Sequence, residues 1–450
     1  MKLLDRIRSF AATEAFMLVC FVLAYGSLAF GLPAVGVCLM AATLCVLFVI
    51  TDDILIVTVP LLLLICLIFE SFEETWLLWL LIPLVITFGY RFVRNLHLSR
   101  EAQNKYSLPG IIAVAVATTA AGLFTITPEE YFRPLALLNA LSLGIFMIPI
   151  YLFFKGGTFS ARPYRVQDRV PAIMYMLGVF LSCLILRLFI IHPELWHAEN
   201  IGLAVSAYAW WRNGAATLTV MVLPFIFYFA VRHHPIHLLS VLFVYGAAVL
   251  SGSRGALVCG AIEIFICLFY FGRHQKKRRY IIWIFLGVCA LLVAVFHRQF
   301  LELCHHLFRL TFDLELLLQE DRVLFAIRSV KDFFKNPIFG VGFGYRGNDD
   351  IHKLVVNWYH SLLPQIVGGM GIVGILAYAY QFVIRLRLMR AAPRTPYMDA
   401  LSLAYIGILI YSQIDPGLMS PYAIVATVFF VLMEEESHPA PLLPLRKKKK

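Results

Sequence analysis

The amino-acid sequence predicts an all-α, polytopic integral membrane protein with about fourteen transmembrane helices. Of the 450 residues, 61% are hydrophobic and only 14% are charged. The mean hydropathy is +0.81. A water-soluble protein of this length cannot bury so large an apolar fraction. Soluble enzymes, disordered scaffolds and secreted disulfide-rich modules are therefore excluded.

The apolar residues form continuous blocks, most of them near the roughly 20 residues that a helix needs to cross the hydrocarbon layer. The predicted spans are 11–31, 32–50, 53–70, 74–92, 109–127, 133–154, 169–191, 213–231, 235–251, 255–271, 280–298, 361–384, 398–414 and 417–434. Continuous blocks favour helices over the alternating strands of an outer-membrane barrel. The first block is predicted to remain as a span, because Glu14 lies at its start and no cleavage motif follows it.

The distribution of Lys and Arg predicts the orientation. With fourteen spans and a cytoplasmic amino terminus, 26 of the 38 Lys and Arg residues fall on the cytoplasmic side. Cytoplasmic loops retain positive charge, so both termini are predicted to lie in the cytoplasm. Topology and contact with anionic lipid account for most of the net charge of +11, and no nucleic-acid partner is predicted.

The predicted organisation has five parts. They are N-terminal transmembrane helices (1–195), central transmembrane helices (196–298), a long extracytoplasmic loop (299–358), C-terminal transmembrane helices (359–436) and a basic cytoplasmic tail (437–450). In the long loop, apolar residues recur at helical spacing between residues 300 and 334, which predicts amphipathic helices on the outer membrane surface. The glycine-rich stretch 336–344 is predicted to be a turn.

Several short motifs follow one another in the second half of the chain. They are Ser251-Gly252-Ser253-Arg254-Gly255, Asp321-Arg322, Asn336-Pro337-Ile338-Phe339-Gly340-Val341-Gly342-Phe343-Gly344, Tyr359-His360-Ser361 and Gly369-Met370-Gly371-Ile372-Val373-Gly374. In this order and spacing they resemble the O-antigen ligase and polymerase superfamily, over roughly residues 200–434. That family has His-Asn where this chain has His360-Ser361, and serine can still cap the start of a helix.

The resemblance implies a membrane glycosyltransferase of cell-surface polysaccharide biosynthesis. Such enzymes take a glycan from an undecaprenyl-diphosphate carrier at the outer face of the bacterial cytoplasmic membrane. They transfer it to a hydroxyl of a glycan or glycolipid acceptor, without a metal. Ligases and polymerases share the motifs, so the acceptor stays open. The predicted partners are the lipid-linked donor, the acceptor and membrane lipid.

The chemistry of this transfer selects candidate catalytic residues. A lipid diphosphate leaves as an anion, and the planar guanidinium of Arg binds phosphate oxygens in a bidentate way. An acceptor hydroxyl needs a base that titrates near neutrality, usually His. The candidates are His360, Arg254 and Arg322. Alternatives stay open: Arg254 reaches lipid headgroups, Arg322 pairs with a neighbouring acid, and His360 is satisfied by a backbone carbonyl.

Weaker substrate-binding candidates are Arg187, Arg212, Arg328, Gly342 and Gly344. The two glycines serve either a tight turn or a cluster of N–H donors for phosphate. His305 and His306 are adjacent and cannot face one ion together. We therefore predict no metal and no cofactor.

Two other classes of protein remain as alternatives. A lipid-linked oligosaccharide flippase or another transporter has a similar number of helices, but it usually has charges in mid-span and repeated halves. Here mid-span charge is sparse, with Glu263 as the main case. A structural membrane subunit, the third class, predicts no outward cluster of His and Arg.

Overall fold

The computed structural model describes residues 2–51, 53–70, 75–101, 105–126, 134–160, 163–196, 212–308, 321–342, 359–414 and 422–437. Within these ranges the chain is helical and has no strand, which confirms the all-α prediction. The helices are α1 (Lys2–Ala11), α2 (Glu14–Ala29), α3 (Pro33–Ile50), α4 (Ile54–Glu70), α5 (Leu81–Glu101), α6 (Leu108–Leu123), α7 (Pro134–Leu143), α8 (Met147–Ser160), α9 (Pro163–Ile191), α10 (Arg212–Arg232), α11 (Leu238–Leu250), α12 (Arg254–His274), α13 (Tyr280–Val295), α14 (His297–Phe308), α15 (Asp321–Lys335), α16 (Leu362–Ala391), α17 (Pro396–Tyr411) and α18 (Tyr422–Glu436).

Each predicted apolar block contains a helix. In the described part of the chain, four helices are long and apolar enough to cross a membrane: Pro33–Ile50, Gln167–Ile191, Arg254–His274 and Leu362–Ala391. Shorter apolar helices accompany them, among them α2, α6, α13 and α17. These helices indicate an integral membrane protein, and the number of fourteen spans stays a prediction.

The block 133–154 is not one continuous helix, and this part of the prediction is wrong. A turn at 144–146 separates α7 from α8. A Cβ atom added to Gly144 would lie 2.1 Å from Oγ1 of Thr118, so the turn packs closely against α6. Hydropathy alone does not show such a turn, because the residues on both sides of it are equally apolar.

The predicted surface loop contains two helices in its described part, α14 and α15. On α15, Phe325, Ser329 and Asp332 are buried against the protein. Val330 and Phe334 are exposed on another face. An apolar face that meets none of the residues the structure describes fits the prediction of an amphipathic helix in contact with lipid.

Helix α10 is the centre of the bundle. Its residues from Val220 to Phe227 are almost completely buried, and they include large side chains on all faces of the helix. It packs against α9, α11, α12 and α17. A helix that is apolar all round belongs in the interior of a large bundle, so α10 fixes the relative positions of the helices that carry the motifs.

One end of the bundle holds many basic residues, and we call it the basic end. Arg91 donates from Nε to the carbonyl oxygen of Phe48 at 2.7 Å. Arg169 donates to Oδ2 of Asp53 and to the carbonyl oxygen of Ala11, each at 3.0 Å. The first contact joins α5 to α3, and the other two join the start of α9 to Asp53 and to the end of α1.

Candidate active site

The Ser251–Gly255 motif forms the turn between α11 and α12. Gly252 has a φ of +72°, a backbone conformation that side-chain-bearing residues rarely adopt. The Ser253 hydroxyl accepts a hydrogen bond from the N–H of Ala256 at 3.2 Å and caps α12. Arg254 is therefore the first residue of α12 and is half-buried at its N-terminus. The positive end of the helix dipole adds to its charge.

A close helix contact links this turn to the start of α16. A Cβ atom added to Gly255 would lie 2.8 Å from Cε2 of the Tyr411 ring. Tyr411 ends α17, and the next residue, Ser412, accepts a hydrogen bond from the N–H of Leu362 at 2.8 Å. The Arg254 turn and the residues around His360 therefore lie at the same end of the bundle, which we call the motif end.

His360 lies in a turn that is fixed on both sides. Its φ of +49° is the one positive φ outside glycine among the described residues, and such a conformation costs roughly 1–2 kcal/mol. The preceding residue, Tyr359, is buried and donates from its N–H to Oε1 of Gln365 at 3.1 Å. The His360 ring is half-buried and packs on Phe325, with 5.4 Å between the ring centroids.

Ser361 occupies the N-cap position of α16, as the sequence predicts. Its hydroxyl makes no capping hydrogen bond with the helix. The side chain of Gln365, one turn further on, instead binds the backbone of Tyr359. The serine that replaces the asparagine of the family pattern is thus tolerated without capping the helix.

Asp332 on α15 holds the Tyr359 side of this turn, and sequence reasoning missed it. It is fully buried and accepts a hydrogen bond from the Tyr359 hydroxyl at 2.7 Å. Arg328 and Lys335 pair with the same carboxylate at 3.4 Å and 2.7 Å. Arg328, a weaker candidate for substrate binding, therefore has a carboxylate partner within the fold. The signal in the sequence was an Asp with basic residues four before and three after it.

A second contact fixes α15 on α16. The Ser329 hydroxyl donates to the carbonyl oxygen of Pro364 at 2.8 Å. A Cβ atom on Gly368 would lie 3.0 Å from Cα of Ser329 and 2.8 Å from the Tyr359 hydroxyl. The glycine thus allows α15 to approach α16 closely, and α15 carries Arg322 to the motif end.

The glycine-rich loop 336–342 fits into a break in α16. Gly371 has φ +60° and ψ −152°, which is not helical. Loop and helix exchange backbone hydrogen bonds there: Val341 to Gly368, Gly342 to Gly369, Ile372 to Pro337 and Val373 to Ile338, all between 2.9 and 3.1 Å. The N–H of Gly342 is thus used within the fold, so the turn interpretation holds for Gly342. Gly344 lies outside the described residues.

The same loop is attached to α6 on its other side. Asn336 donates from Nδ2 to the carbonyl oxygen of Phe124 at 2.8 Å. The rings of Phe124 and Phe339 pack at 4.8 Å between centroids. Thr125 donates its hydroxyl to the carbonyl of Val341. The loop therefore connects α6, α15 and α16 in one hydrogen-bonded unit.

Arg322 lies on the first turn of α15 and is half-buried. Phe325, one turn further along α15, packs on the ring of His360, which places this end of α15 at the motif end. The end of α9 that carries Arg187 packs against Leu250 and Leu257, which also places Arg187 at the motif end. The side chain of Arg212 falls outside the described part of the chain.

No cluster of three His, Cys, Asp or Glu side chains in the described ranges has a geometry that suits a metal ion. The site is instead cationic, with arginines from α12 and α15 and one histidine before α16. This combination suits an anionic leaving group and a proton acceptor.

Residues 238–379 match the family model described as O-antigen ligase. The match includes the Ser251–Gly255 turn, α15, the loop 336–342 and His360, and it confirms the resemblance predicted from the motifs. The matched segment is shorter than the predicted 200–434. No curated protein and no solved structure matches this chain at a significant level. The family indicates a glycosyltransferase-like role in polysaccharide assembly at a membrane.

Proposed function

We propose that this protein transfers a glycan from an undecaprenyl-diphosphate carrier to an acceptor sugar hydroxyl at the outer face of the bacterial cytoplasmic membrane. The observation that carries the proposal is that Arg254, Arg322 and His360 lie at the same end of the bundle. They come from three distant segments of the chain, all within the segment that matches the family.

His360 takes the proton of the acceptor hydroxyl in the proposed reaction. The acceptor oxygen then forms a bond with the anomeric carbon of the donor glycan, and the bond from that carbon to the diphosphate oxygen breaks. The electron pair leaves with the lipid diphosphate, which Arg254 and Arg322 stabilise as an anion. No redox step is involved, and the diphosphate needs no general acid.

The local structure supports these roles. The Tyr359 hydrogen bonds to Asp332 and Gln365 hold the turn of His360, which limits the motion of a catalytic base. Arg254 at the N-terminus of α12 adds its charge to a helix end that favours anions. Arg322 lies half-buried in the first turn of α15, where its planar guanidinium can bind two phosphate oxygens at once.

Reconstituted vesicles provide the test. They contain the full-length protein, a lipid-linked glycan and an acceptor, and the free undecaprenyl diphosphate is measured with and without the acceptor. Acceptor-dependent release supports the proposal. Movement of the lipid-linked glycan across the bilayer without diphosphate release would support the flippase alternative instead.

The proposal also requires the motif end to face away from the cytoplasm. Asn348→Cys, in the predicted outer loop, is expected to react with an impermeant maleimide in intact cells. Gln275→Cys, between α12 and α13, is the matched control and should react only after the membrane is opened. Burial raises the pKa of the native Cys304 thiol, and labelling of the unsubstituted protein measures the background from this cysteine. The reverse labelling pattern would contradict the orientation.

A further inference from the structure

An apolar cavity lies between α6, α16, α17 and the start of α18. Its volume is about 470 Å³, within the range of roughly 300–1,000 Å³ that is usual for ligand sites. It extends along α16 from Leu362 at the motif end to Arg385 near the basic end. Leu363 and Phe382 line it and are 59% and 41% exposed. The cavity therefore opens sideways, toward the lipid.

Arg385 is the charged residue in the lining, and it is only 7% exposed. Its guanidinium lies over the rings of Tyr405 and Phe430, at 5.3 Å and 4.9 Å from their centroids. One long hydrogen bond of 3.4 Å reaches the Tyr405 hydroxyl. Within the described ranges, no carboxylate lies within 4.0 Å of this guanidinium.

A buried guanidinium without a counter-ion is costly, because it loses its hydration and gains no anionic partner. The aromatic rings cover the faces of the Arg385 guanidinium, whereas its N–H groups point outward from its edge. An anionic oxygen in the cavity would restore the missing interaction. Phosphate suits it well because the planar guanidinium binds two phosphate oxygens at once.

We propose that the cavity binds an anionic membrane phospholipid, with its phosphate on Arg385 and an acyl chain along α16 toward Leu362. The polarity of the lining matches this occupant, since its charged side chain is at one end and most of the other lining side chains are apolar. A polyprenyl chain that enters from the motif end would leave Arg385 without an anion. The charge therefore favours a lipid whose headgroup lies toward the basic end.

The test uses the full-length protein in detergent micelles and a fluorescent phosphatidylglycerol. Phosphatidylcholine with the same acyl chains provides the comparison without net charge. We expect saturable binding of phosphatidylglycerol at least tenfold tighter than that of phosphatidylcholine. Equal binding of the two lipids by the wild-type protein would overturn the proposal.

Three variants locate the site. Arg385→Gln should abolish the preference for phosphatidylglycerol, whereas Arg387→Gln, an exposed neighbour on the same helix, should retain it. Ala379→Trp places a large ring in the cavity from an exposed position and should prevent binding of the labelled lipid. Ala379→Trp leaves the buried charge in place. Lipid binding by this variant therefore still tests the proposal if Arg385→Gln does not fold.

Retention of the full preference in Arg385→Gln, or of binding in Ala379→Trp, would overturn the proposal. Undecaprenyl diphosphate provides a further test. If it displaces phosphatidylglycerol from the wild-type protein, and if its own direct binding is lost in Ala379→Trp, the cavity binds the donor lipid and the proposal is overturned. Lipid binding is measured without glycan transfer, so failure here is distinguishable from failure of the proposed function.

Discussion

At the basic end the cationic side chains join parts of the fold, whereas at the motif end Arg254 and Arg322 lie at the starts of two helices. Lys155 is fully buried and lies 3.4 Å from Glu434, and Arg169 binds both Asp53 and the backbone of Ala11. Arg254 and Arg322, by contrast, are half-buried in the first turns of α12 and α15. Substitutions at the basic end should therefore affect stability, whereas those at the motif end should affect turnover.

The largest effect on turnover is expected for His360→Ala. General-base catalysis is typically worth 10²- to 10⁴-fold in rate, so single-turnover transfer should fall by about that factor while donor affinity stays near normal. Full activity in the variant, or weakened donor binding with an unchanged single-turnover rate, would exclude the role as base.

Lys155→Met tests the other side of the comparison. The Glu434 carboxylate also accepts hydrogen bonds from the Tyr151 hydroxyl at 2.6 Å and from the N–H of Ser107 at 2.5 Å. Removal of the cation leaves a buried carboxylate without its counter-ion, and we expect a loss of about 3–5 kcal/mol of stability. Thermal unfolding measures it, with the exposed Arg387→Met as control. A stable Lys155→Met variant with slow transfer would contradict the division between the two ends.

Arg254→Lys and Arg322→Lys should each lower transfer at least tenfold, about 1.4 kcal/mol of transition-state stabilisation. Lysine keeps the charge but lacks the planar fork that binds two phosphate oxygens. Arg387→Lys, an exposed arginine distant from the motif end, is the matched control in the release assay. Wild-type turnover in both motif-end variants would show that neither arginine clamps the diphosphate.

The smallest effect is expected at two helix caps. Thr395 accepts a hydrogen bond from the N–H of Met398 at 3.2 Å at the start of α17, so Thr395→Ala should cost about 0.5–2 kcal/mol. Ser361 makes no such bond at the start of α16. We therefore expect Ser361→Ala to change stability by less than about 0.5 kcal/mol. Equal losses in the two variants would show that the Ser361 hydroxyl does cap α16.

The helices could be predicted from the sequence because apolar blocks are a local property of the chain. The position of the Ser251–Gly255 motif between two helices could also be predicted, because the apolar blocks 235–251 and 255–271 adjoin it on either side. The contacts of Asp332 with Tyr359, of Thr125 with the loop, and of Gly255 with Tyr411 could not be predicted. Each joins residues far apart in the sequence, and hydropathy gives no information about which helices become neighbours. The division of 133–154 into two helices was missed for the same reason.

The break in α16 has a consequence for the order in which the protein assembles. Inside a bilayer, backbone N–H and C=O groups need partners within the protein. At Gly371 those partners come from the loop 336–342, which precedes α16 in the chain. The loop has thus already been synthesised when the broken helix leaves the ribosome. The partners of the interrupted helix therefore precede it in the chain, and insertion of the second half of the protein needs no later segment to satisfy this break.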